Sequence, residues 1–481
     1  MIEQLTRIKE AFLLDIGKEL EEDNVAIFAG SGLSAPAGFV SWGEFLRPIA
    51  DDLGLDVDKE HDLVTLAQYH LNVNGLNRSQ LNKRLIEEFS RAAEVTENHK
   101  ILARLPIYTY WTTNYDKLIE QSLELTGKIV DVKHTKKQLA FTKPKRDVVV
   151  YKMHGDVDHP DEAILTKDDY ESYHVKMDQF ITALSGDLVS KTFIFIGFNF
   201  ADPNIDYILS RVRVAYDKSQ RTHYCFLRKV TKEQDETEAD CSYRARKQEL
   251  FCGDLNRFNI KAILVDRYTE ITDILHTIEN RHRQRSIFIS GAAHEYSPWE
   301  RDNAQQFIHT LSQRILQTNH RIVSGFGLGV GSAIISGSLE QIYMKSRTNR
   351  IDQLILRPFP QQVFGSNNLT EVWHRYRVDM ISYAGIAIFL FGNKTQDGVT
   401  IKSNGMRLEF DIAKEKGLVL LPVGATGYIS DELWNEARTY IQSRFGSRPE
   451  ILRSYERLGD KSASPDQLID IIIDLLSQLQ K

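Results

Sequence analysis

The chain has 481 residues, enough for two or three domains, and its net charge is −6, which argues against an unaided nucleic-acid binder with a basic face. Hydrophobic residues make up 42% of the chain, but no apolar run of about 18 residues occurs, so we expect no membrane span and no membrane partner. The three cysteines form no CxxC pair. This predicts a protein without a metal site, in the reduced environment of the cytoplasm.

Short apolar runs alternate with amphipathic helical runs, the pattern of parallel sheets covered by helices. In chain order, the predicted strands are VAIFAG, IYTYWT, VVVYKMHG, TFIFIGF, HYCFL, KAILVD, SIFISG, RIVSGFG, QLILRPF, GIAIFLFG and LVLLPVG. The charged segment ENRHRQRS lies between a predicted helix and a predicted strand. We therefore predict an α/β protein of two Rossmann-like domains with mainly parallel sheets, residues 1–283 and 284–481.

The first predicted strand ends in a glycine turn that begins at Gly30-Ser31-Gly32 and continues to Ser34. Glycines at this place let a phosphate approach the backbone, and the N–H groups that follow favour an anion. The spacing matches the loose G-x-G-x-x-G/A dinucleotide pattern. About 20 residues on, however, EFLRPIADDLG has a helical pattern where a hydride-transfer Rossmann domain has a strand with an acidic end. That class is therefore disfavoured.

Polar side chains or glycines follow three further predicted strands. Asn114 and Asp116 follow the second strand, although they could simply cap the next helix. His154 precedes a glycine at a strand end, which suits a base facing a cleft, although a lone histidine can also be structural. Gly197 and Asn199 end a later strand just before a DPN helix start. Open α/β sheets bind ligands at the carboxyl ends of their strands, so these groups together predict a site.

The second half carries the densest glycine loop, SGFGLGVGS, with Gly327 and Gly329 near its centre. Such a loop suits a nucleotide phosphate, and the alternative is a turn needed for tight packing. The strand SIFISG supplies a second predicted glycine turn, at Ser290 and Gly291.

Three charged residues downstream of these loops are candidates for the same site: Arg377, Lys394 and Glu409. Two cations suit phosphates, and a carboxylate suits ribose hydroxyls. The alternative is that each charge belongs to a solvated helix face.

The order GSGLS, TTNYD, HGD and GFNF-x-DP resembles the sirtuin-type NAD-binding fold. The resemblance implies that Asn114 and Asp116 contact the nicotinamide ribose and carboxamide, and that His154 is the catalytic base. It implies a diphosphate site on the first loop and a contribution from the late glycine loop. The implied NAD-binding residues are Gly30, Ser31, Gly32, Ser34, Asp116, Gly197 and Asn199.

Four departures from the sirtuin pattern limit what the resemblance implies. Thr113 replaces the Gln of the sirtuin motif, and Asn199 stands where sirtuins usually carry a Ser. Phe39-Val40-Ser41-Trp42 replaces the Pro-Asp-Phe-Arg segment, and the four zinc-ribbon cysteines are absent. Protein deacylation is therefore disfavoured, and hydrolysis of the glycosidic bond of NAD, as substrate, is the expected activity. A catalytically silent NAD or nucleotide sensor or scaffold is the main alternative.

Residues 284–481 resemble the SLOG family of Rossmann-like nucleotide sensors, without the Pro-Gly-Gly-x-Gly-Thr loop of its enzymes. The two domains in this order resemble effectors of bacterial Thoeris antiphage systems. That resemblance implies a TIR-domain enzyme as functional partner, a cyclic ADP-ribose isomer as activator, NAD depletion in abortive infection, and homotetramers that form filaments on activation. The implied signal-binding residues are Ser290, Gly291, Gly327, Gly329, Arg377, Lys394 and Glu409.

Overall fold

The structure is a computed structural model that describes residues 2–60, 62–198, 200, 202–216, 221–345, 348–359 and 369–480. The chain divides into two compact units, Met1–Glu279 and Asn280–Lys481. Helix Thr269–Gln284 crosses this division, and the boundary predicted after residue 283 lies at the end of the same helix. No helix that the structure describes is both long and apolar enough to cross a bilayer.

The first unit is built on a sheet of seven parallel strands in the order β3-β4-β2-β1-β5-β6-β7. The strands are β1 (Val25–Ala29), β2 (Thr109–Thr112), β3 (Val130–Lys133), β4 (Val148–Lys152), β5 (Thr192–Ile196), β6 (His223–Arg228) and β7 (Ile260–Val265). β1 pairs with β2 on one side and β5 on the other. The strand order therefore reverses around β1, and in open sheets a ligand crevice forms at the carboxyl ends of the strands at such a point.

Helices cover both faces of this sheet, and each face has its own apolar core. Ile27 contributes to the core that contains Phe12 and Leu275, while Phe28 contributes to the core that contains Phe180. Successive side chains of a strand point to opposite faces, so a strand with both faces covered is apolar throughout. The helices are α1 (Ile2–Glu21), α2 (Ser31–Ser34), α3 (Trp42–Asp52), α4 (Leu63–Val73), α5 (Ser79–Phe89), α6 (Glu97–Arg104), α7 (Leu118–Leu125), α8 (Lys136–Leu139), α9 (Lys167–Lys176), α10 (Asp178–Ser190), α11 (Pro203–Tyr216), α12 (Glu238–Leu255) and α13 (Thr269–Gln284).

The chain between β1 and β2 forms a helical layer with its own core. Phe45 of α3, Leu66 of α4 and Leu81 of α5 are buried together with Tyr115 and Leu165 from the loops of the sheet. α3 begins at a Ser41 cap, whose hydroxyl accepts a 3.2 Å hydrogen bond from the Glu44 amide. The helical interpretation of EFLRPIADDLG is confirmed, and this layer adjoins the loops that follow β2 and β4.

The second unit contains a sheet of five parallel strands in the order β10-β9-β8-β11-β14, and a separate antiparallel hairpin. Its strands are β8 (Ser286–Ala292), β9 (Arg321–Ser324), β10 (Leu354–Leu356), β11 (Ile386–Phe391), β12 (Asn393–Gln396), β13 (Val399–Lys402) and β14 (Val419–Pro422), with β12 and β13 forming the hairpin. Its helices are α14 (Arg301–Gln317), α15 (Gly331–Glu340), α16 (Leu369–Ser382), α17 (Asn404–Glu415), α18 (Tyr428–Phe445), α19 (Pro449–Arg457) and α20 (Pro465–Gln480). Leu311 of α14, Ile388 of β11 and Leu475 of α20 are fully buried in one core.

The predicted α/β class with mainly parallel sheets is confirmed, and each predicted strand overlaps an observed one. β3 and the β12–β13 hairpin were not predicted. Both contain charged or polar residues that interrupt the apolar pattern.

Candidate active site

The loops after β1 and β5 meet through their backbones. Gly30 N donates a 3.0 Å hydrogen bond to Ile196 O, and Gly32 N donates one of 2.9 Å to Gly197 O. Gly197 has a φ of +63°, and a Cβ atom there would lie 2.2 Å from Leu33 N. A Cβ atom on Gly30 would lie 2.4 Å from Gly197 O. Glycine is therefore required for these two loops to pack, and Gly32 and Gly197 pack on each other rather than lining the cavity described next.

A cavity of about 380 Å³ opens at the carboxyl ends of β1, β2, β4 and β5. Asn114, Asp116 and His154 line it together, although they follow two different strands. The other described residues of its lining include Gly30, Ser31, Ser34, Phe39, Trp42, Asp62, Phe89, Tyr170, Phe198 and Asp202. Asn199 lies outside the described residues. The structure therefore brings the principal polar residues predicted for the first domain into one site.

Asn114 is held in one orientation by the first glycine loop. The residue is 6% exposed, and Nδ2 donates hydrogen bonds of 3.1 Å to Gly30 O and to Ser34 Oγ. Its backbone amide donates a 2.9 Å hydrogen bond to Thr112 Oγ1. Because both hydrogens of the side-chain amide are used, Oδ1 is the side-chain atom that can accept a hydrogen bond from a ribose hydroxyl or a water molecule.

Asp116 combines the two roles that its sequence position allows. Its Oδ1 accepts a 3.0 Å hydrogen bond from Leu118 N at the start of α7, and the same side chain lines the cavity. Burial raises the pKa of the Asp116 carboxyl, while the Leu118 amide, the Lys152 ammonium and the Ser34 hydroxyl act in the opposite direction. The contact with the first amide of α7, whose N-cap residue is Lys117, is thus compatible with ligand contact by Asp116.

His154 is buried beside a carboxylate that the sequence analysis did not select. His154 Nε2 lies 3.2 Å from Asp202 Oδ2, and both side chains are largely buried. The Tyr170 ring meets the imidazole edge-on at 5.4 Å. Burial lowers the pKa of the His154 imidazole, and the Asp202 charge opposes that shift. The only sequence signal for Asp202 was its position in the DPN helix start.

The loops that carry Asn114 and His154 share a buried cation, Lys152, which the sequence analysis also missed. Its Nζ lies 2.7 Å from Asp116 O and 3.1 Å from Tyr115 O. It also forms ion pairs of 2.6 Å with Asp156 and 3.1 Å with Glu120. This fully buried ammonium connects the loop after β2 to the loop after β4.

The described lining of the cavity is acidic. It contains the carboxylates of Asp62, Asp116 and Asp202, and no Lys or Arg among the described residues. Such a lining suits a cationic ring and the positive charge that develops on a sugar carbon when its glycosidic bond breaks. Within the described part of the chain, no group of three or more His, Cys, Asp or Glu is placed to hold a metal ion.

A second cavity, of about 230 Å³, lies in the C-terminal unit at the ends of β8 and β9. Ser290, Gly291, Gly327, Arg377 and Glu409 line it. Ser290 Oγ donates a 2.6 Å hydrogen bond to Glu409 Oε2, and Arg377 Nε lies 3.5 Å from Glu409 Oε1. Burial raises the pKa of the Glu409 carboxyl, against the effects of Ser290 and Arg377. A cation, a carboxylate and backbone groups therefore converge on one space.

Gly329 and Lys394 are not among the residues that line this second cavity. Gly329 packs against the loop after β8, since a Cβ atom there would lie 1.9 Å from Ala293 O, and its carbonyl accepts a 2.8 Å hydrogen bond from the Tyr296 hydroxyl. Lys394 lies on the hairpin strand β12. Ser290 and Gly291 lie within β8, which extends to Ala292, and not in a turn after it.

Fold and site together define a two-domain protein with a sirtuin-like N-terminal domain and a C-terminal SLOG domain. A family model described as SIR2-like domain matches residues 108–248, and one described as Sir2- and TIR-associating SLOG family matches residues 270–479.

Proteins named NAD(+) hydrolase ThsA are similar to this chain over nearly its full length. The one from Bacillus cereus (strain MSX-D12) is 54% identical and covers 99% of each chain. The one from Cytobacillus dafuensis is 48% identical and covers 98% of this chain and 97% of the relative. A third, from Acinetobacter baumannii (strain 532279), is 47% identical and covers 96% and 97%. The chain belongs to the ThsA family of NAD(+) hydrolases.

Proposed function

We propose that this chain hydrolyses NAD⁺ to nicotinamide and ADP-ribose. The observation that carries the proposal is the shared cavity of Asn114 and His154, two groups contributed by loops after different strands. The cavity has an acidic and aromatic lining that suits the cationic nicotinamide ring. Membership in a family of proteins named NAD(+) hydrolase supports the same activity.

The chemistry needs no general acid. When the bond between C1′ of the ribose and the pyridinium nitrogen breaks, its electron pair moves to that nitrogen and nicotinamide leaves as a neutral molecule. Asp116 lines the same cavity and is suited to stabilise the positive charge that develops on the sugar, and Asn114 Oδ1 is suited to orient the ribose or the incoming water. Water adds to C1′, and His154 takes the proton either from the water directly or from a ribose hydroxyl, whose alkoxide then takes the proton that the water loses. His154 releases its proton to solvent, and this proton transfer contributes about 10²–10⁴-fold.

The C-terminal cavity is the proposed site for a cyclic ADP-ribose isomer that activates hydrolysis. Arg377 is suited to a phosphate, Glu409 to ribose hydroxyls, and the backbone of Gly291 and Gly327 to close approach of a nucleotide. The isomer must bind the active arrangement better than the resting one, because equal affinity for both would shift no population. A coupling of about 1–3 kcal/mol per site is typical of such effects.

The wider role that we propose is NAD depletion in antiphage defence by abortive infection, in the bacterial cytoplasm. A TIR-domain enzyme of a Thoeris system would supply the signal, and the chain would act as a homotetramer that forms filaments on activation. The description of the matched family as Sir2- and TIR-associating supports the pairing with a TIR domain.

Nicotinamide release from NAD⁺ by the purified full-length chain, with and without a cyclic ADP-ribose isomer, tests the activity. We expect release without any acylated peptide, and none from Asn114→Ala or His154→Ala. The exposed residues Asn256 and His174 provide matched controls, since their alanine variants remove the same side chains elsewhere. Absence of release under every nucleotide condition would favour the silent sensor or scaffold, and release only with an acyl-lysine peptide would favour a deacylase.

A further inference from the structure

We propose that Asp202 is the positioning residue for His154: its carboxylate holds a proton on Nε2 of the imidazole and leaves Nδ1 to accept the proton from water or ribose. This inference rests on the proposed NAD hydrolysis and assigns a role within that site. It predicts which ring nitrogen acts and which carboxylate sets its state.

The Asp202 carboxylate is fixed by the start of α11. Its Oδ1 accepts a 2.9 Å hydrogen bond from Asn204 N and a longer one, 3.4 Å, from Ile205 N. Its second oxygen, Oδ2, lies 3.2 Å from His154 Nε2. One carboxylate oxygen therefore caps a helix while the other is directed at the imidazole, so the helix terminus sets the position of the group that faces the histidine.

His154 Nε2 is buried, and the part of the chain that the structure describes offers it no well-angled hydrogen bond. A small rotation of the ring toward Asp202 Oδ2, already within 3.2 Å, would satisfy the buried N–H. A buried polar hydrogen without an acceptor costs about 1–3 kcal/mol, so the pairing is favoured whenever Nε2 carries the proton. The hydrogen bond made by one ring nitrogen decides which nitrogen is left as the base.

The charges around the imidazole leave Asp202 as its close ionic partner among the described residues. The titratable groups that face the ring or share its cavity are Tyr170 and Tyr173 on α9, Asp62 before α4, Asp116 after β2 and Asp202 before α11. Burial raises the pKa of both tyrosine hydroxyls well above the usual value, so they stay neutral. The Asp202 charge is the one that opposes the effect of burial on the pKa of His154.

Asp202→Asn separates this role from helix capping. Asparagine is nearly the same shape and caps helices as well as aspartate does, so the acceptor for Asn204 N is kept. Its amide presents either a neutral oxygen or an N–H donor to Nε2, and neither replaces the negative charge. The matched control is Asp206→Asn, which removes the same charge from an exposed site one turn along α11. Asp202→Ser, which also keeps a helix cap, is the second variant if Asp202→Asn does not fold.

The kinetic test is nicotinamide release from NAD⁺ by the full-length chain, activated with a cyclic ADP-ribose isomer, as a function of pH. We expect Asp202→Asn to lower kcat about 10²-fold with little change in KM. The acid limb of its pH profile should move to lower pH, because a histidine that loses its carboxylate partner protonates at lower pH. Asp206→Asn should match the unaltered chain.

The pKa of the His154 imidazole can also be measured without turnover. Mass spectrometry gives the rate of deuterium exchange at its C2 atom, and the pH dependence of that rate gives the pKa. We expect the pKa of His154 to fall by about one unit in Asp202→Asn. An unchanged pKa and an unchanged acid limb would overturn the pairing, even with a lower kcat, since that result marks a purely structural role. If the unaltered chain releases no nicotinamide, the proposed hydrolysis fails, and the exchange measurement still decides whether Asp202 is paired with His154.

Discussion

The buried ammonium of Lys152 donates a 2.7 Å hydrogen bond to the backbone carbonyl of Asp116. Lys152 ends β4, two residues before His154, whereas Asp116 lies two residues after Asn114. The contact therefore joins the two loops whose side chains define the active cavity. Nearby, Glu120 and Asp156 balance the charge of the ammonium. The Lys152 ammonium thus links the two loops that carry the catalytic candidates Asn114 and His154.

Replacing Lys152 with methionine keeps the aliphatic stem but leaves two buried carboxylates without their cation. Loss of one partner from a buried ion pair costs about 3–5 kcal/mol, because the remaining charge is uncompensated. We expect the free energy of unfolding, measured by urea denaturation, to fall by that amount. Lys83→Met is the control, since Lys83 forms an exposed 3.7 Å pair with Glu87 and should have little effect. Equal stability of the two variants would contradict this account of Lys152.

Gly197→Ala should destabilise the packing of the loop after β5 on the loop after β1, by more than the strain of a positive φ alone would cost. Gly197 and Gly127 both have positive φ, +63° and +79°, so alanine is strained at either position by about 1–2 kcal/mol. A Cβ atom at Gly127 would meet nothing within 4 Å, whereas at Gly197 it would overlap the backbone of Leu33. We expect Gly197→Ala to lose about 3 kcal/mol or more and most nicotinamide release. Gly127→Ala should stay active, and a matching loss in both variants would argue against loop packing as the cause.

The sequence was sufficient for the parts of the site that follow directly from the topology. Asn114, His154 and the glycines each come immediately after an apolar run, and a parallel sheet places all carboxyl strand ends at one edge. Knowledge of the strands therefore implied that these residues lie near one another. β3 was not predicted, because Asp131 and Lys133 interrupt its apolar run. In the structure these two residues form a buried ion pair of 2.9 Å.

Residues whose roles depend on tertiary contacts were not predictable in the same way. A lysine at a strand end normally reaches solvent, and nothing local shows that Glu120 and Asp156 surround Lys152. Asp202 had only the signal of a helix cap, which does not reveal the imidazole beside its second oxygen. Gly329 fits the spacing of a phosphate loop but packs against Ala293 instead.

Acid should destabilise the N-terminal unit through His223. Burial holds the pKa of His223 at about 3, against 6.5 for an ordinary histidine, and its Nδ1 accepts a 3.1 Å hydrogen bond from Phe193 N. Between these pH values the unfolded chain binds a proton that the folded chain does not, so stability falls as pH falls, by about 1.4 kcal/mol per pH unit. In His223→Asn the slope of unfolding free energy against pH should decrease by that amount between pH values of about 4 and 6. The exposed His174→Asn should leave the slope unchanged, and a slope that is the same in both variants would show that His223 is not the group responsible.

Arg377 should control the response to the nucleotide signal. Its guanidinium stacks 4.8 Å above the Phe359 ring and pairs with Glu409 Oε1 at 3.5 Å in the lining of the C-terminal cavity. Truncation of a buried charge that contacts a ligand costs about 2–5 kcal/mol, so Arg377→Ala should raise the half-activating concentration of the cyclic ADP-ribose isomer by about 30-fold or more.

Two further variants make the Arg377 prediction specific. Arg377→Lys keeps the charge but loses the planar fork and the stacking, so its half-activating concentration should lie between those of the unaltered chain and Arg377→Ala. Arg375→Ala removes an arginine from the same helix, where it is 80% exposed and paired with Glu371, and should respond normally. Isothermal titration of the isomer into each variant separates lost binding from lost coupling. Normal binding and activation in Arg377→Ala would place the signal elsewhere on the chain, because a ligand held by this guanidinium cannot lose it without losing affinity.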